Sequence, residues 1–137
     1  MRYLAPALAL LLLPLVEAAA APKVVGLSCH GDYIAVQLEE AGLQWVQVYD
    51  RDLTPLWSSE KARYLEYNWS SGGIAVRLCD GPCYNVNWQW VQVYDPATGR
   101  SWTSSESKLA EFRWSPQGRV AVVLWTGTCS EYRGHWI

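Results

Sequence analysis

A heptapeptide that occurs twice places the strongest constraint on what this chain can fold into. Residues 44–50 read QWVQVYD, and residues 89–95 repeat them letter for letter. Two copies of a string that contains both Trp and Tyr indicate an internal duplication with a period of about 45 residues. Periods of this length are typical of proteins built from repeated supersecondary units, so we expect one small unit of structure per repeat.

The repeated segment has the pattern of a β-strand. Trp45, Gln47 and Tyr49 alternate with Val46 and Val48, and successive side chains of a strand point to opposite faces. Val, Tyr and Trp also favour strands. The Asp that ends the second copy is followed by Pro-Ala-Thr-Gly, which is a strong turn signal.

Each unit contains three further strands in this interpretation. A Trp-led segment follows each heptapeptide, and two matching segments come before it. The second of these reads IAVQL, IAVRL and VAVVL in its three occurrences. Outside the N-terminus no segment has a helical period, and all connections are short. We therefore predict an all-β chain of antiparallel four-stranded units.

Two stretches resemble the blades of TolB-like and WD40-like β-propellers. Residues 114–122 (WSPQGRVAV) resemble the Trp-Ser-Pro-Asp-Gly-Arg stretch of those blades, and residues 93–99 (VYDPATG) resemble their Val-Trp-Asp strand ending and Thr-Gly turn. Tyr-Asp replaces Trp-Asp, and the Gly-His pair of WD40 blades is missing, which favours the broader TolB-like group. The resemblance covers nearly all of residues 23–137. It implies propeller blades that contact protein or ligand through loops at one face.

The resemblance divides residues 21–137, a single β-propeller-like repeat domain, into blades at about 23–61, about 62–107 and, in part, about 108–137. Aligning the units puts Trp136 on Trp90, so the sequence as given stops inside a blade. Closed propellers have about 4–8 blades, and we therefore expect an incomplete propeller. Further blades would lie on the same polypeptide or on other copies in a homo-oligomer. A self-contained small β-sandwich is the alternative.

Residues 1–20 have the pattern of a secretory signal peptide. A basic start precedes an uncharged apolar run of about 14 residues, and small residues follow. The run is short for a membrane-spanning helix, which needs about 20 residues. We predict a secreted or extracytoplasmic chain with no membrane span after cleavage. The net charge is −2 with acids and bases interspersed, so we expect no nucleic-acid partner.

The four cysteines can form disulfides in an oxidising compartment. Cys79 and Cys83 lie in one loop, with a Gly and a Pro between them that permit a tight turn, and their pairing is our first expectation. The second is a bridge from Cys83 to Cys129, which has the equivalent place in the next unit. Cys29 stands where the other units have Trp, and we expect it to be a buried free thiol.

The same loop is the best candidate for a binding surface. It is longer than its counterpart in the first unit, and it carries aromatic and amide side chains that suit a carbohydrate or a protein ligand: Asp80, Tyr84, Asn85, Asn87 and Trp88. The plainer interpretation is a solvated loop.

The chain shows no pattern of catalytic residues. The cysteines of the loop have only His30 and His135 as possible further metal ligands, and neither is near in the repeat, so we expect no metal site and no cofactor. Nucleophile-elbow, zinc-protease and phosphate-loop motifs are missing from the sequence. We expect a non-enzymatic binding or scaffold module. The rival interpretation is the propeller portion of a secreted hydrolase of the prolyl-oligopeptidase-like type, whose catalytic domain this sequence lacks.

Overall fold

The computed structural model describes residues 21–125 and the backbone of residues 132–136. The predicted signal peptide and Cys129 lie outside the described residues. The described part contains eleven β-strands and no helix. The predicted all-β fold is therefore confirmed.

The strands form three open antiparallel sheets, and each sheet follows the order of the chain. Sheet 1 contains β1 (Lys23–His30), β2 (Tyr33–Glu40), β3 (Leu43–Asp50) and β4 (Pro55–Ser58). Sheet 2 contains β5 (Tyr64–Ser70), β6 (Gly73–Cys79), β7 (Gln89–Asp95) and β8 (Arg100–Thr103). Sheet 3 contains β9 (Leu109–Trp114), β10 (Val120–Trp125) and β11 (Tyr132–Trp136). The described residues thus make three sheets, whereas a β-sandwich would have two.

The sheets stack in chain order because alternate side chains of a strand pack against two different sheets. Ile74, Val76 and Leu78 of β6 are fully buried in one cluster with residues of sheet 1, whereas Ala75 lies in a second cluster with residues of sheet 3. We call the face of each sheet directed toward the next sheet its leading face, and the opposite one its trailing face. The leading face of sheet 1 presents Val46 and similar side chains to the trailing face of sheet 2.

Tryptophans of the edge strands mark both contacts between the sheets. The Trp69 indole Nε1 donates a hydrogen bond to Ser28 Oγ at 2.9 Å. One repeat later, Trp114 Nε1 donates to the backbone oxygen of Asn68 at 3.3 Å. Ser28 and Asn68 occupy equivalent places in β1 and β5, because they pair with Ala35 and Ala75. The two indoles therefore donate to equivalent strand positions, to a side-chain hydroxyl in one contact and to a backbone carbonyl in the other.

The expectation that Cys29 is buried is wrong. The Cys29 side chain is exposed and forms no disulfide with a described residue. It pairs with Ile34 on the trailing face of sheet 1, and no described residue covers that face at this position. The equivalent residue of sheet 2, Trp69, is covered because sheet 1 packs against it.

The register of β11 also differs from the alignment. Trp136 pairs with Ala121, whereas in sheet 2 the equivalent Ala75 pairs with Val93. Trp136 therefore takes the place of Val93 and not that of Trp90, a shift of three residues. The reason is the length of the connection, since six residues (126–131) separate β10 from β11 and nine (80–88) separate β6 from β7.

Candidate binding loop

The candidate site is the connection between β6 and β7, residues 80–88. The equivalent connection in sheet 1 is a two-residue turn in which Ala41 and Gly42 have φ of 52° and 77°, the left-handed pair that suits a tight hairpin. Sheet 2 has a nine-residue loop in its place. The hairpin still closes at its base, because the Asp80 N–H donates to the Trp88 carbonyl at 2.9 Å.

A disulfide joins Cys79, the last residue before the loop, to Cys83 within the loop. Cys79 and Cys83 are bonded, with Cα atoms 5.5 Å apart, which is the pairing preferred from the sequence. Both cysteines are buried, and the Asn85 N–H donates to the Pro82 carbonyl at 3.0 Å immediately after the bridge. The first half of the loop is thus a compact turn.

The buried side chain of Gln89 holds the loop backbone in place through hydrogen bonds. Gln89 is fully buried, and its Nε2 donates to the carbonyls of Cys83 at 3.1 Å and Asn85 at 3.0 Å. Its Oε1 accepts a hydrogen bond of 3.0 Å from the Ala110 N–H of β9. One side chain therefore ties the loop to sheet 3. Sequence reasoning assigned Gln89 no role, because the identical Gln44 of the first heptapeptide has no loop to support.

Asn87 belongs to the same frame and is not free to bind a ligand with its amide nitrogen. Its Nδ2 donates to the carbonyls of Pro82 at 2.8 Å and Asn85 at 3.0 Å. Its backbone N–H donates to the Lys108 carbonyl at 3.0 Å. Asn87 Oδ1 is buried and has no hydrogen-bond partner among the described residues. The structure thus turns this candidate inward.

The side chains that the loop presents to solvent are mainly apolar. Tyr84 is 84% exposed, Val86 59% and Trp88 54%. We call these three residues the loop patch. Asn85 is also exposed, and Asp80 forms a 4.0 Å ion pair with the exposed Arg63, which contributes little at such exposure. Val86 was not among the candidates, because an aliphatic residue in a loop carries no signal until its exposure is known.

The exposed side chains of the loop patch suit recognition through burial of apolar surface. Within residues 21–125, no group of three or more His, Cys, Asp or Glu side chains could hold a metal ion. Burial raises the pKa of Tyr94, with smaller contributions from Tyr33 and Asp95. Tyr94 lies in the core between sheets 1 and 2, so this shift does not create an acid or a base at the loop.

A second, more polar groove lies between sheets 2 and 3. It has a volume of about 390 Å³, and its lining includes Glu66, Arg77, Glu111 and Arg113. The Arg77 guanidinium is already committed, because Nη2 lies 2.6 Å from Glu66 Oε2 and Nη1 donates to the Ala110 carbonyl at 3.0 Å. The bond to Ala110 joins sheet 2 to sheet 3, whereas the pair with Glu66 lies within sheet 2, and we assign the groove a structural role.

No family model, no curated protein and no solved structure matches this chain. No helix in the described part of the chain has the length and apolar character needed to cross a membrane.

Proposed function

We propose that this chain is a secreted, non-enzymatic binding module built from propeller-type blades, and that its loop patch binds a protein ligand. The observation that carries the proposal is the exposure of Tyr84, Val86 and Trp88 on a loop that the rest of the structure holds in place. Large apolar side chains kept in solvent by a braced loop are a common sign of an interaction site.

The bracing favours binding because it removes part of the ordering cost. A loop that is ordered before it meets its ligand loses less conformational entropy on association. Here the Cys79–Cys83 disulfide and the two hydrogen bonds from Gln89 Nε2 fix the loop backbone on either side of Tyr84. The aromatic side chains can therefore contribute most of their burial energy to affinity.

A protein ligand fits the patch better than a carbohydrate. Sugar recognition combines aromatic stacking with several free hydrogen-bonding groups, and the Asn87 amide nitrogen is used inside the loop. Val86 adds aliphatic surface that suits an apolar side chain of a peptide. The loop patch thus offers three apolar contacts with the polar Asn85 between two of them, as in the apolar core and polar surroundings of protein interfaces.

The blade interpretation is supported by three features of the fold. Each of sheets 1 and 2 is a four-stranded antiparallel run in chain order. Consecutive sheets stack face to face around apolar clusters. The indole hydrogen bonds of Trp69 and Trp114 repeat from one contact to the next. Propeller blades have this organisation, and further blades, on the same polypeptide or on another copy, would continue the stack.

The disulfide supports the proposed extracytoplasmic location. Stable disulfides form in oxidising compartments and are rare in the reducing cytosol. A buried bridge in a loop that also carries the loop patch is consistent with a chain that works outside the cell. The signal-peptide pattern of residues 1–20 supports the same location.

The test compares peptide and glycan probes on matched variants. A random peptide library is selected against the secreted chain, a glycan array is screened in parallel, and the hits are measured against Tyr84→Ala and Trp88→Ala. Leu53→Ala is the control, because Leu53 is 67% exposed and lies in the turn between β3 and β4 of sheet 1. We expect selected peptides to lose at least about tenfold in affinity with either loop variant and to bind the control unchanged.

Two results would overturn the proposal. One is a set of peptides that bind both loop variants as tightly as they bind the unaltered chain. The other is a screen in which glycans, and no peptides, bind in a manner that depends on Trp88; the loop patch would then be a carbohydrate site.

A further inference from the structure

The trailing face of sheet 1 presents exposed apolar side chains on β1 and on the neighbouring β2. Leu27 of β1 is 65% exposed and Val24 is 63% exposed. Leu27 pairs with Val36 and Val24 pairs with Leu38, and directly paired residues lie on the same face of a sheet. Ile34, Val36 and Leu38 extend this face along β2 and are only half-buried.

The equivalent face of sheet 2 shows what such a surface packs against. Ile74, Val76 and Leu78 of β6 stand at the places of Ile34, Val36 and Leu38, and they are fully buried by the leading face of sheet 1. The trailing face of sheet 3 is covered in turn by the leading face of sheet 2. Every trailing face whose neighbour is described is therefore covered by a leading face of the same chain.

Sheet 3 presents a leading face of its own. Val123 and Trp125 of β10 alternate with the buried Val122 and Leu124, and they are partly exposed. Together with Leu109 and Glu111 of β9 they line a groove of about 260 Å³. No residue of the described part of the chain thus packs on the trailing face of sheet 1 or on the leading face of sheet 3.

The strand registers show which groups would meet if these two faces stacked. Phe112 of sheet 3 pairs with Val122 as Leu27 pairs with Val36, so the two residues are equivalent. Phe112 lies beside Glu66 and Arg77 on the leading face of sheet 2. The residues equivalent to that pair in sheet 3 are Glu111 and Val123, which are paired in the same way.

We propose that a second copy of this chain covers the trailing face of sheet 1 with the leading face of its sheet 3, so that Leu27 enters the groove formed by Glu111 and Val123. This inference rests on the blade interpretation proposed above and is independent of the ligand of the loop. The chain uses the same type of contact twice internally, and the replacement of Arg77 by Val123 makes the third copy of the groove apolar enough for an aliphatic side chain.

The contact is heterologous, since it joins two different faces. Such an interface repeats from copy to copy until a ring closes, and otherwise it continues as a filament. The contact therefore predicts a behaviour that a symmetric pairing of two sheet 1 faces does not share: variants damaged on opposite faces should complement each other.

The experiment uses the full chain expressed with its own leader and purified from the medium, with Cys29→Ser in every version to exclude cross-linking through this exposed thiol. Sedimentation velocity is measured over a range of concentrations. Leu27→Glu damages the trailing face, and Val123→Lys damages the leading face while Glu111 opposite offers it an ion pair. Leu53→Glu is the control, because Leu53 is 67% exposed in the turn between β3 and β4.

We expect the unaltered chain and Leu53→Glu to form a discrete oligomer or a series of oligomers. Leu27→Glu and Val123→Lys should each weaken this association by at least about tenfold, as expected when a buried aliphatic contact is lost. An equimolar mixture of these two variants should form a one-to-one dimer, because each supplies the face that the other has lost.

Three results would overturn the inference. A chain that is monomeric at all concentrations excludes the contact. Association of Val123→Lys alone, with loss in Leu27→Glu, would show that two sheet 1 faces pair with each other. Association that survives both changes would place the interface elsewhere. Circular dichroism confirms that each variant is folded, and a Tyr84→Ala, Trp88→Ala double variant, which should still assemble, separates a failure of this contact from a failure of the loop proposal.

Discussion

The indole Nε1 of Trp90 donates a 2.7 Å hydrogen bond to the Oε2 atom of Glu60. Trp90 lies in the second heptapeptide, on β7, whereas Glu60 follows the last strand of sheet 1. The backbone N–H of Glu60 also donates to Gln92 Oε1 at 2.7 Å. One residue thus fastens the end of sheet 1 to sheet 2 through two contacts with alternate side chains of the same strand.

Replacing Glu60 by Ala should lower the free energy of unfolding by about 1 kcal/mol, because a hydrogen bond to a charged group is lost at a partly exposed site. The backbone contact to Gln92 remains. Urea denaturation followed by circular dichroism measures the change. Glu106→Ala is the control, since Glu106 is exposed after β8, and its effect should stay within about 0.5 kcal/mol. Equal losses in the two variants would contradict this assignment.

Replacing Gln89 by Ala should destabilise the protein by about 1–3 kcal/mol, because the buried Cys83 carbonyl and Ala110 N–H each lose a hydrogen bond. The Asn85 carbonyl keeps its bond from Asn87 Nδ2. Gln44→Ala is the matched change in the first heptapeptide. Gln44 Oε1 accepts a 2.7 Å bond from the half-buried Gln37, and we expect a smaller loss. Hydrogen exchange should also become faster in residues 80–88 of the Gln89 variant. Unchanged exchange there would show that the disulfide alone orders the loop.

Replacing Gly72 by Ala should destabilise the contact between sheets 2 and 3. A methyl group at Gly72 would overlap the carbonyl oxygen of Gly118 in the facing turn. Overpacking of this kind costs about 1–3 kcal/mol. Asp32 holds the equivalent position in sheet 1 and is exposed, so Asp32→Ala should change thermal stability very little. A Gly72→Ala variant with an unaltered midpoint would show that the two turns can separate at no cost.

Stability should fall in alkaline solution as Tyr94 ionises. Its pKa is raised from the ordinary value of 10.0, first by burial and then by Tyr33 and Asp95. A raised pKa in the folded state means that the protonated form is favoured on folding. This contribution is fully present below pH 10 and is lost as the pH rises through the folded-state pKa.

Tyr94→Phe isolates that contribution. The Phe ring retains the stacking on Trp57, whose ring centroid lies 5.1 Å from that of Tyr94. Unfolding midpoints measured from pH 8 upward should therefore fall less steeply for the variant than for the unaltered chain. Parallel curves for the two proteins would show that Tyr94 does not contribute to the alkaline dependence.

The sequence predicted the class of fold because its repeat and its strand pattern are local signals. The alternation of Trp45 with Val46 reports which face each side chain occupies, and the short turns imply antiparallel neighbours. Antiparallel four-stranded sheets follow from these two facts alone. The propeller interpretation, the signal peptide and the ligand remain predictions.

The parts that sequence reasoning missed depend on contacts between distant segments. Cys29 is exposed because no described residue packs on the trailing face of sheet 1 at that position, and the type of a residue does not report its neighbours. Asn87 points inward because its amide nitrogen donates hydrogen bonds to the Pro82 and Asn85 carbonyls. The displaced Trp136 reflects a connection three residues shorter than that of sheet 2, which an alignment of aromatic residues conceals.

The chain-order strand pairing has a consequence for folding during synthesis. Each sheet consists of neighbouring strands, so its contacts have low sequence separation, and such contacts form early and quickly in folding. As the chain leaves the ribosome with its N-terminus first, sheet 1 can close before the last strand of sheet 2 has emerged. Val46 and Val48 then stay exposed to water until Ile74 packs against them. A chaperone can act on the nascent protein during this interval.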